Sequence, residues 1–132
     1  MNVCRIKSYA KINLALNVTG KLTLLHKIES IVSFIDLHDL IFIKNTNKKS
    51  HQISFYGKFS QNISSNNTVR KLFIILEEKK LLKDKKFQIK IKKNIPQKAG
   101  LGGGSMNAAT ILNFLIKKKF INIKLIEGLK NS

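Results

Sequence analysis

The sequence predicts an α+β domain. Segments in which apolar and polar residues alternate crowd the chain up to Tyr56, and two later stretches repeat apolar residues at helical spacing. A run of glycines sits where the last alternating segment gives way to the longer of those helical stretches. At 132 residues the chain is long enough for one core, with about two-thirds of its unfolded surface buried. A single domain over 1–132 is expected.

Ile6 to Tyr9 has strand character, and from Ile12 to Val18 the apolar Ile12, Leu14, Leu16 and Val18 alternate with Asn13, Ala15 and Asn17. Glu29 to Leu37 and Leu40 to Lys44 read as further strands, separated by the turn-like Asp36-Leu37-His38-Asp39. Asn45 to Ser50 is a polar loop, and Gln52 to Tyr56 alternates again. The Ser- and Asn-rich Ser60 to Asn67 precedes a helix expected over Thr68–Lys80, with Val69, Leu72, Phe73 and Leu76 on one face and Ser64, Ser65 or Asn66 as its cap. Phe87, Ile89 and Ile91 alternate with Gln88, Lys90 and Lys92, the pattern of a half-buried strand. A helix over Ser105–Lys118 and a short one over Ile123–Leu129 complete the chain.

Composition removes several classes. A hydrophobic content of 43% excludes a disordered chain. No apolar run approaches the roughly 20 residues that span a bilayer, and the first residues lack the layout of a signal peptide. Cys4, the single cysteine, permits no internal disulfide, which fits a reducing compartment; a cytoplasmic location away from membranes is expected. In that compartment the glycosylation sequons at Asn17, Asn62 and Asn66 carry no meaning. The net charge is +18, but 23 of the 25 basic residues are lysine, only Arg5 and Arg70 being arginine. Bidentate phosphate and base-edge recognition favours arginine. The lysine excess travels with 13 asparagines and 19 isoleucines, as in an A/T-rich coding sequence, and reads as a solvated surface. Nucleic acid is not expected as the partner.

The chemistry lies in Pro96-Gln-Lys-Ala-Gly100-Leu-Gly102-Gly103-Gly104-Ser105-Met-Asn107. Glycine backbone turns tightly and brings its N–H groups close to an anion. The helix that follows points its unpaired N–H groups and positive dipole end at the same spot. A Walker A loop is excluded, because no lysine follows Gly104, and a dinucleotide fingerprint is excluded by Ser105 standing where its third glycine belongs. A flexible linker is the bland alternative; Ala108, Ile111, Leu112, Leu115 and Ile116 at helical spacing argue for a loop opening onto a buried helix.

Two further landmarks join this loop: Ala10-Lys11-Ile12-Asn13-Leu14, and Leu25-His26 followed by Glu29-Ser30. Together with Pro96-x-x-x-Gly100-Leu-Gly102-Gly103-Gly104-Ser105-x-Asn107-Ala-Ala109, the chain resembles the GHMP kinase superfamily. Within it, the triple glycine followed by Asn-Ala-Ala resembles the branch that phosphorylates the 2-hydroxyl of 4-diphosphocytidyl-2-C-methyl-D-erythritol on the non-mevalonate route to isoprenoid precursors. The resemblance implies a mostly antiparallel, partly mixed sheet with helices on one side, and a left-handed βαβ unit carrying the glycine loop. It implies ATP as phosphoryl donor, with Mg²⁺, and a small-molecule substrate. Pro96, Gly100, Leu101, Gly102, Gly103, Gly104 and Ser105 would hold the ATP phosphates, and Asn67 with Thr68 the adenosine. Lys11 would stabilise charge at the transferred phosphoryl group, Asn13 orient the substrate hydroxyls and His26 bind the cytosine. Taken alone, Lys11 is a surface lysine, His26 an ordinary histidine, and Asn67-Thr68 a helix cap; Lys98 is a solvated side chain or a phosphate screen.

The chain departs from that family in two ways. Leu24-Leu25 replaces the Gly-Tyr whose tyrosine stacks on the cytosine, a contact worth about 1–3 kcal/mol. A catalytic aspartate in a Gly-Ala-Asp context and a C-terminal domain are expected beyond Ser132, and neither Asp36, Asp39 nor Asp84 sits in a matching context. No metal ligand is identified. The expectation is an N-terminal, nucleotide-binding portion, inactive by itself, with a separately encoded C-terminal half as a possible partner. Another GHMP kinase of small alcohols, or a basic RNA-binding module, stay open as alternatives.

Overall fold

A computed structural model describes residues 3–10, 36–97, 103–122 and Lys124. Within them the elements run β1 (Cys4–Tyr9), β2 (His38–Thr46), β3 (Gln52–Tyr56), α1 (Thr68–Glu78), β4 (Lys86–Lys92) and α2 (Gly103–Lys117). The sheet order is β1-β2-β4-β3. β2 pairs antiparallel with β1 and β4, whereas β3 and β4 are parallel, so the α+β fold has a mixed sheet. A parallel pair needs a crossover, and α1 supplies it. Among the described residues no strand follows α2, so β3–α1–β4 is the βαβ unit, and the glycine segment lies at its exit, between β4 and α2, rather than inside it. No described helix is long and apolar enough to cross a membrane.

One face of the sheet makes the core, because strand side chains alternate across it. Register sets Ile41 opposite Ile91 and Ile43 opposite Ile89, with Ile6 and Cys4 on the β1 side and Ile53 and Phe55 on the β3 side. Both helices cover that face. Val69, Phe73 and Leu76 of α1 and Ile111 and Leu115 of α2 recur at helical spacing and join the same buried cluster. Each such side chain contributes about 1.5–3 kcal/mol by leaving water.

β2 departs from its expected bounds at both ends. It begins at His38, inside the segment expected to turn, because Tyr9 pairs with His38 and Ser8 with Asp39. It continues through Asn45 and Thr46, expected in a loop, because Phe87 and Lys86 extend the ladder beside them. Asp36 and Leu37, the described end of the strand expected from Glu29, are not strand. The expected strand 12–18, and all but Lys124 of the expected helix 123–129, lie outside the described residues.

The helix ends rest on lysines in an unusual conformation. α1 stops at Glu78, with Lys79 as its cap, and α2 runs from Gly103, two residues ahead of Ser105. After α1 the Lys80 N–H bonds Glu77 O and the Leu81 N–H bonds Leu76 O; after α2 the Lys119 N–H bonds Ile116 O and the Phe120 N–H bonds Leu115 O. This paired pattern closes a helix through one left-handed residue, usually glycine. Here the residues are Lys80 and Lys119, at φ 54° and 62°. Lys80→Gly and Lys119→Gly should each raise the unfolding free energy by about 1 kcal/mol, since an L side chain pays roughly that in this region. Urea melts with an unchanged or lower midpoint would overturn the assignment.

His51, just ahead of β3, joins α1 to the start of β4. Its Nδ1 accepts the Phe87 N–H at 3.0 Å, so the neutral ring carries its proton on Nε2, which faces Glu77 Oε1 at 2.6 Å. Lys86 Nζ reaches the same oxygen at 2.5 Å. Burial holds the His51 pKa below the ordinary 6.5 despite the Glu77 carboxylate. The hydrogen bond from Lys86 holds the Glu77 carboxyl below 4.5. As pH falls below 6.5 the unfolded chain takes up a proton on His51 before the folded chain does; below 4.5 the same holds for Glu77. Stability should therefore fall on acidification from pH 6.5 downward. In His51→Gln, whose amide can accept from Phe87 and donate to Glu77 at any pH, the first part of that loss should shrink. Denaturation at neutral and mildly acidic pH checks it; an equal acid loss in both proteins counts against His51.

Candidate functional site

The segment after β4 carries on the inward parity of Phe87, Ile89 and Ile91 to position 93, which places a lysine in the interior. Lys93 is 4% exposed and Asp39 fully buried. Lys93 Nζ donates to Asp39 Oδ2 at 2.5 Å and to Asn107 Oδ1 at 2.9 Å. The other carboxylate oxygen, Asp39 Oδ1, accepts the backbone N–H groups of Asn94 at 2.6 Å and Ile95 at 2.9 Å. Asn107 Nδ2 in turn donates to Asp39 Oδ2 at 3.0 Å and to Ser8 Oγ at 2.9 Å. A buried ion pair is tolerable only when such bonds replace the lost water. The network ties β1, β2, the end of β4 and the first turns of α2 into one unit.

Next to it two helix N-termini converge on a cleft of about 260 Å³, lined by Asn67, Thr68 and Val69 of α1, Gly103, Gly104 and Asn107 of α2, and Lys93, Ile95 and Gln97 between them. Asn67, rather than Ser64, Ser65 or Asn66, caps α1: its Oδ1 accepts the Arg70 N–H at 2.9 Å while its Nδ2 donates to Ser64 O at 2.9 Å. Its carbonyl accepts the Lys71 N–H. Side chains at Gly103 and Gly104 would be tight against their neighbours. A Cβ added at Gly104 would lie 3.3 Å from Thr68 Oγ1, and one at Gly103 3.3 Å from Lys93 Nζ and 3.4 Å from Ile95 Cγ2. Two positive dipole ends make the cleft suited to a polyanion, the charge of Lys93 beside them being matched by Asp39.

Of the residues singled out by sequence, the structure brings together Asn67, Thr68, Gly103 and Gly104. Ser105 is exposed in the first turn of α2 and does not line the cleft. Pro96 lines a separate depression with Lys58, Phe59, Gln61, Asn62 and Gln97. Lys11, Asn13, His26, Lys98, Gly100, Leu101 and Gly102 lie outside the described residues. Sequence reasoning passed over Lys93, Asp39, Asn107 and Ser8. Lys93 shares the parity of Ile91, and Asn107 precedes Ile111 by one helical step; both patterns pointed inward.

Residues 67–128 match the model of the GHMP kinases N terminal domain. The chain carries a GHMP kinase N-terminal domain. It is homologous to the 4-diphosphocytidyl-2-C-methyl-D-erythritol kinase of Pelagibacter ubique (strain HTCC1062), 66% identical over 124 residues, which cover 94% of this chain and 44% of that relative. The enzyme of the same name from Clostridium perfringens (strain 13 / Type A) is 37% identical over 90% of this chain and 40% of its own length. A solved structure of 4-(cytidine 5'-diphospho)-2C-methyl-D-erythritol kinase matches 60% of this chain and 26% of that one, at 30% identity and a TM-score of 0.43. The GHMP chain described here thus spans less than half the length of these relatives.

The buried network yields a stability prediction. Asp39→Asn or Lys93→Met leaves one charge or its polar partners unmatched inside and should cost about 3–5 kcal/mol. Asp39→Asn combined with Lys93→Met removes both charges and should lose markedly less than the sum of the single changes. A double-mutant cycle by urea denaturation measures this; additive losses would show that the pair is not coupled.

Proposed function

We propose that this chain is the nucleotide-binding portion of a kinase that transfers the γ-phosphoryl group of ATP to the 2-hydroxyl of 4-diphosphocytidyl-2-C-methyl-D-erythritol, in the cytoplasm. The observation that carries the reading is the convergence of Asn67-Thr68 and Gly103-Gly104, apart in sequence, on one cleft. Helix N-termini offer N–H groups and partial positive charge to phosphate oxygens, and phosphoryl transfer is chiefly positioning and charge stabilisation. In this reading Gly100, Leu101 and Gly102 add backbone N–H groups, and Ser105 a hydroxyl. Lys11 stabilises charge as the hydroxyl oxygen bonds the γ-phosphorus and the bond to the ADP oxygen breaks. Asn13 orients the acceptor, and His26 holds the cytosine. The hydroxyl proton passes to an aspartate of a C-terminal half. The reading carries a left-handed β3–α1–β4 crossover with it.

Mg²⁺ would accompany ATP, but the residues described here do not form a site for it. No carboxylate lines the cleft, and nearby Asp39 is occupied by Lys93, Asn107 and two backbone N–H groups. Leu25, in place of an aromatic residue, favours a second reading, a GHMP kinase for another small alcohol.

Residues 1–132 should bind a fluorescent non-hydrolysable ATP analogue that ATP displaces. Gly103→Val or Gly104→Val should weaken binding by tenfold or more, about 1.4 kcal/mol, by crowding the cleft beside Lys93 and Ile95 or beside Thr68. Absence of ATP-displaceable binding overturns the reading. Turnover by the isolated chain should be no more than a trace, and Lys11→Ala should abolish it. Rates in the range of about 1–100 s⁻¹ would show that no second half is needed. Comparing the cytidyl substrate with homoserine and mevalonate in the assembled enzyme separates the two substrate readings.

A further inference from the structure

The sheet face turned away from the helices has its own composition. Register aligns Arg5, Phe42, Lys90 and Ser54 in one row across the four strands, and Lys7, Leu40, Lys92 and Tyr56 in the next. Lys44 lies one step further along β2, beside Gln88. Lys86, of the same parity at the start of β4, is drawn to Glu77, so five cations project freely from this face, and no outward strand position among the described residues holds a carboxylate. Asp39 points to the core, while Asp36, Glu77, Glu78 and Asp84 lie off the strands. Between the cations the face is apolar and aromatic. Tyr9 and Tyr56 are each 43% exposed, and a groove of about 260 Å³ runs along Val3, Phe42 and Tyr56 between Lys44 and Lys90.

We infer that this open face is a second binding surface, for single-stranded nucleic acid. The occupant follows from the pairing of chemistries. Cations at strand spacing meet a chain of phosphates, and exposed rings between them meet unstacked bases. A four-stranded sheet with aromatic side chains on its open face can stack two or three bases. Four lysines and one arginine supply charge without base-edge selectivity, so binding is sequence-tolerant. Four strands about 4.8 Å apart are wider than the about 12 Å major groove of a duplex admits. The lysine excess that reads in sequence as a diffuse surface is, on this face, gathered around aromatic rings with no acid among them. The surface lies across the sheet from the nucleotide cleft and does not depend on the kinase reading.

Fluorescence anisotropy of the full chain with a labelled short oligouridine tests this, with an oligothymidine arm separating RNA from DNA. If all five cations meet phosphates, log K should fall with log salt at a slope of about −3.5, a loss of about a hundredfold between 50 and 200 mM. Lys90→Glu with Lys92→Glu should weaken binding more than tenfold and flatten the slope by about 1.4. Tyr56→Ala should weaken it about tenfold. The control pair Lys71→Glu on α1 and Lys79→Glu at its C-cap, both exposed, carries the same charge change on the other side of the sheet and should shift binding less than about threefold. Thermal melting checks that each variant remains folded. Equal loss in the control pair, equally tight binding of duplex RNA, or binding of anionic vesicles without oligonucleotide binding would each overturn the inference.

Discussion

The carboxylate of Asp39 holds the described structure together at its most demanding point. It is fully buried and accepts from Lys93, Asn107 and the backbone of Asn94 and Ile95. Removing a carboxylate and an ammonium from water costs several kcal/mol each, and only a complete set of partners offsets it. Each bond therefore constrains a different element: β2 through Asp39, β1 through Ser8, the exit of β4 through residues 93–95, and α2 through Asn107. An apolar cluster tolerates sliding, whereas a satisfied charge network has one geometry. The network thus sets where β4 ends and where α2 begins, and these are the two sides of the glycine segment.

The cleft depends on that placement. α2 is held against the sheet by Asn107, and Gly103 and Gly104 then meet Lys93 and Thr68 at distances where an added Cβ would be tight. Asn67 caps α1 and points its first turn at the same space. Each helix alone would be an ordinary anion-attracting terminus; brought together they make a concave site of one polarity. That polarity suits the nucleotide polyphosphate proposed as its ligand, whose charge two dipole ends can share.

The sheet separates two electrostatic environments. On the core face the one lysine buried among the described residues is matched to the one aspartate buried among them. On the open face the cations of β1, β2 and β4 have no acid beside them in the ladder. In sequence only strand parity separates these lysines. Lys92 and Lys93 are adjacent, and the pleat sends one to solvent and the other to the interior.

The sequence by itself determined the elements whose pattern is local. The strand Phe87–Ile91, the helix from Thr68 and the strand Gln52–Tyr56 are legible because their periodicities of two and 3.6 follow from backbone geometry alone. The glycine run was legible as a candidate site for the same reason, since a loop opening a helix is a local device, whereas Asn67 and Thr68 became candidates only through the family resemblance. Pairing was decided only in three dimensions. His38 and Asp39 look like a turn until Tyr9 and Ser8 lie beside them, and Lys80 and Lys119 end their helices in a conformation that sequence assigns to glycine. Asp39 and Lys93 are 54 residues apart and share no motif. The free energy that permits each to be buried exists only once the other has arrived, and no window of sequence contains both.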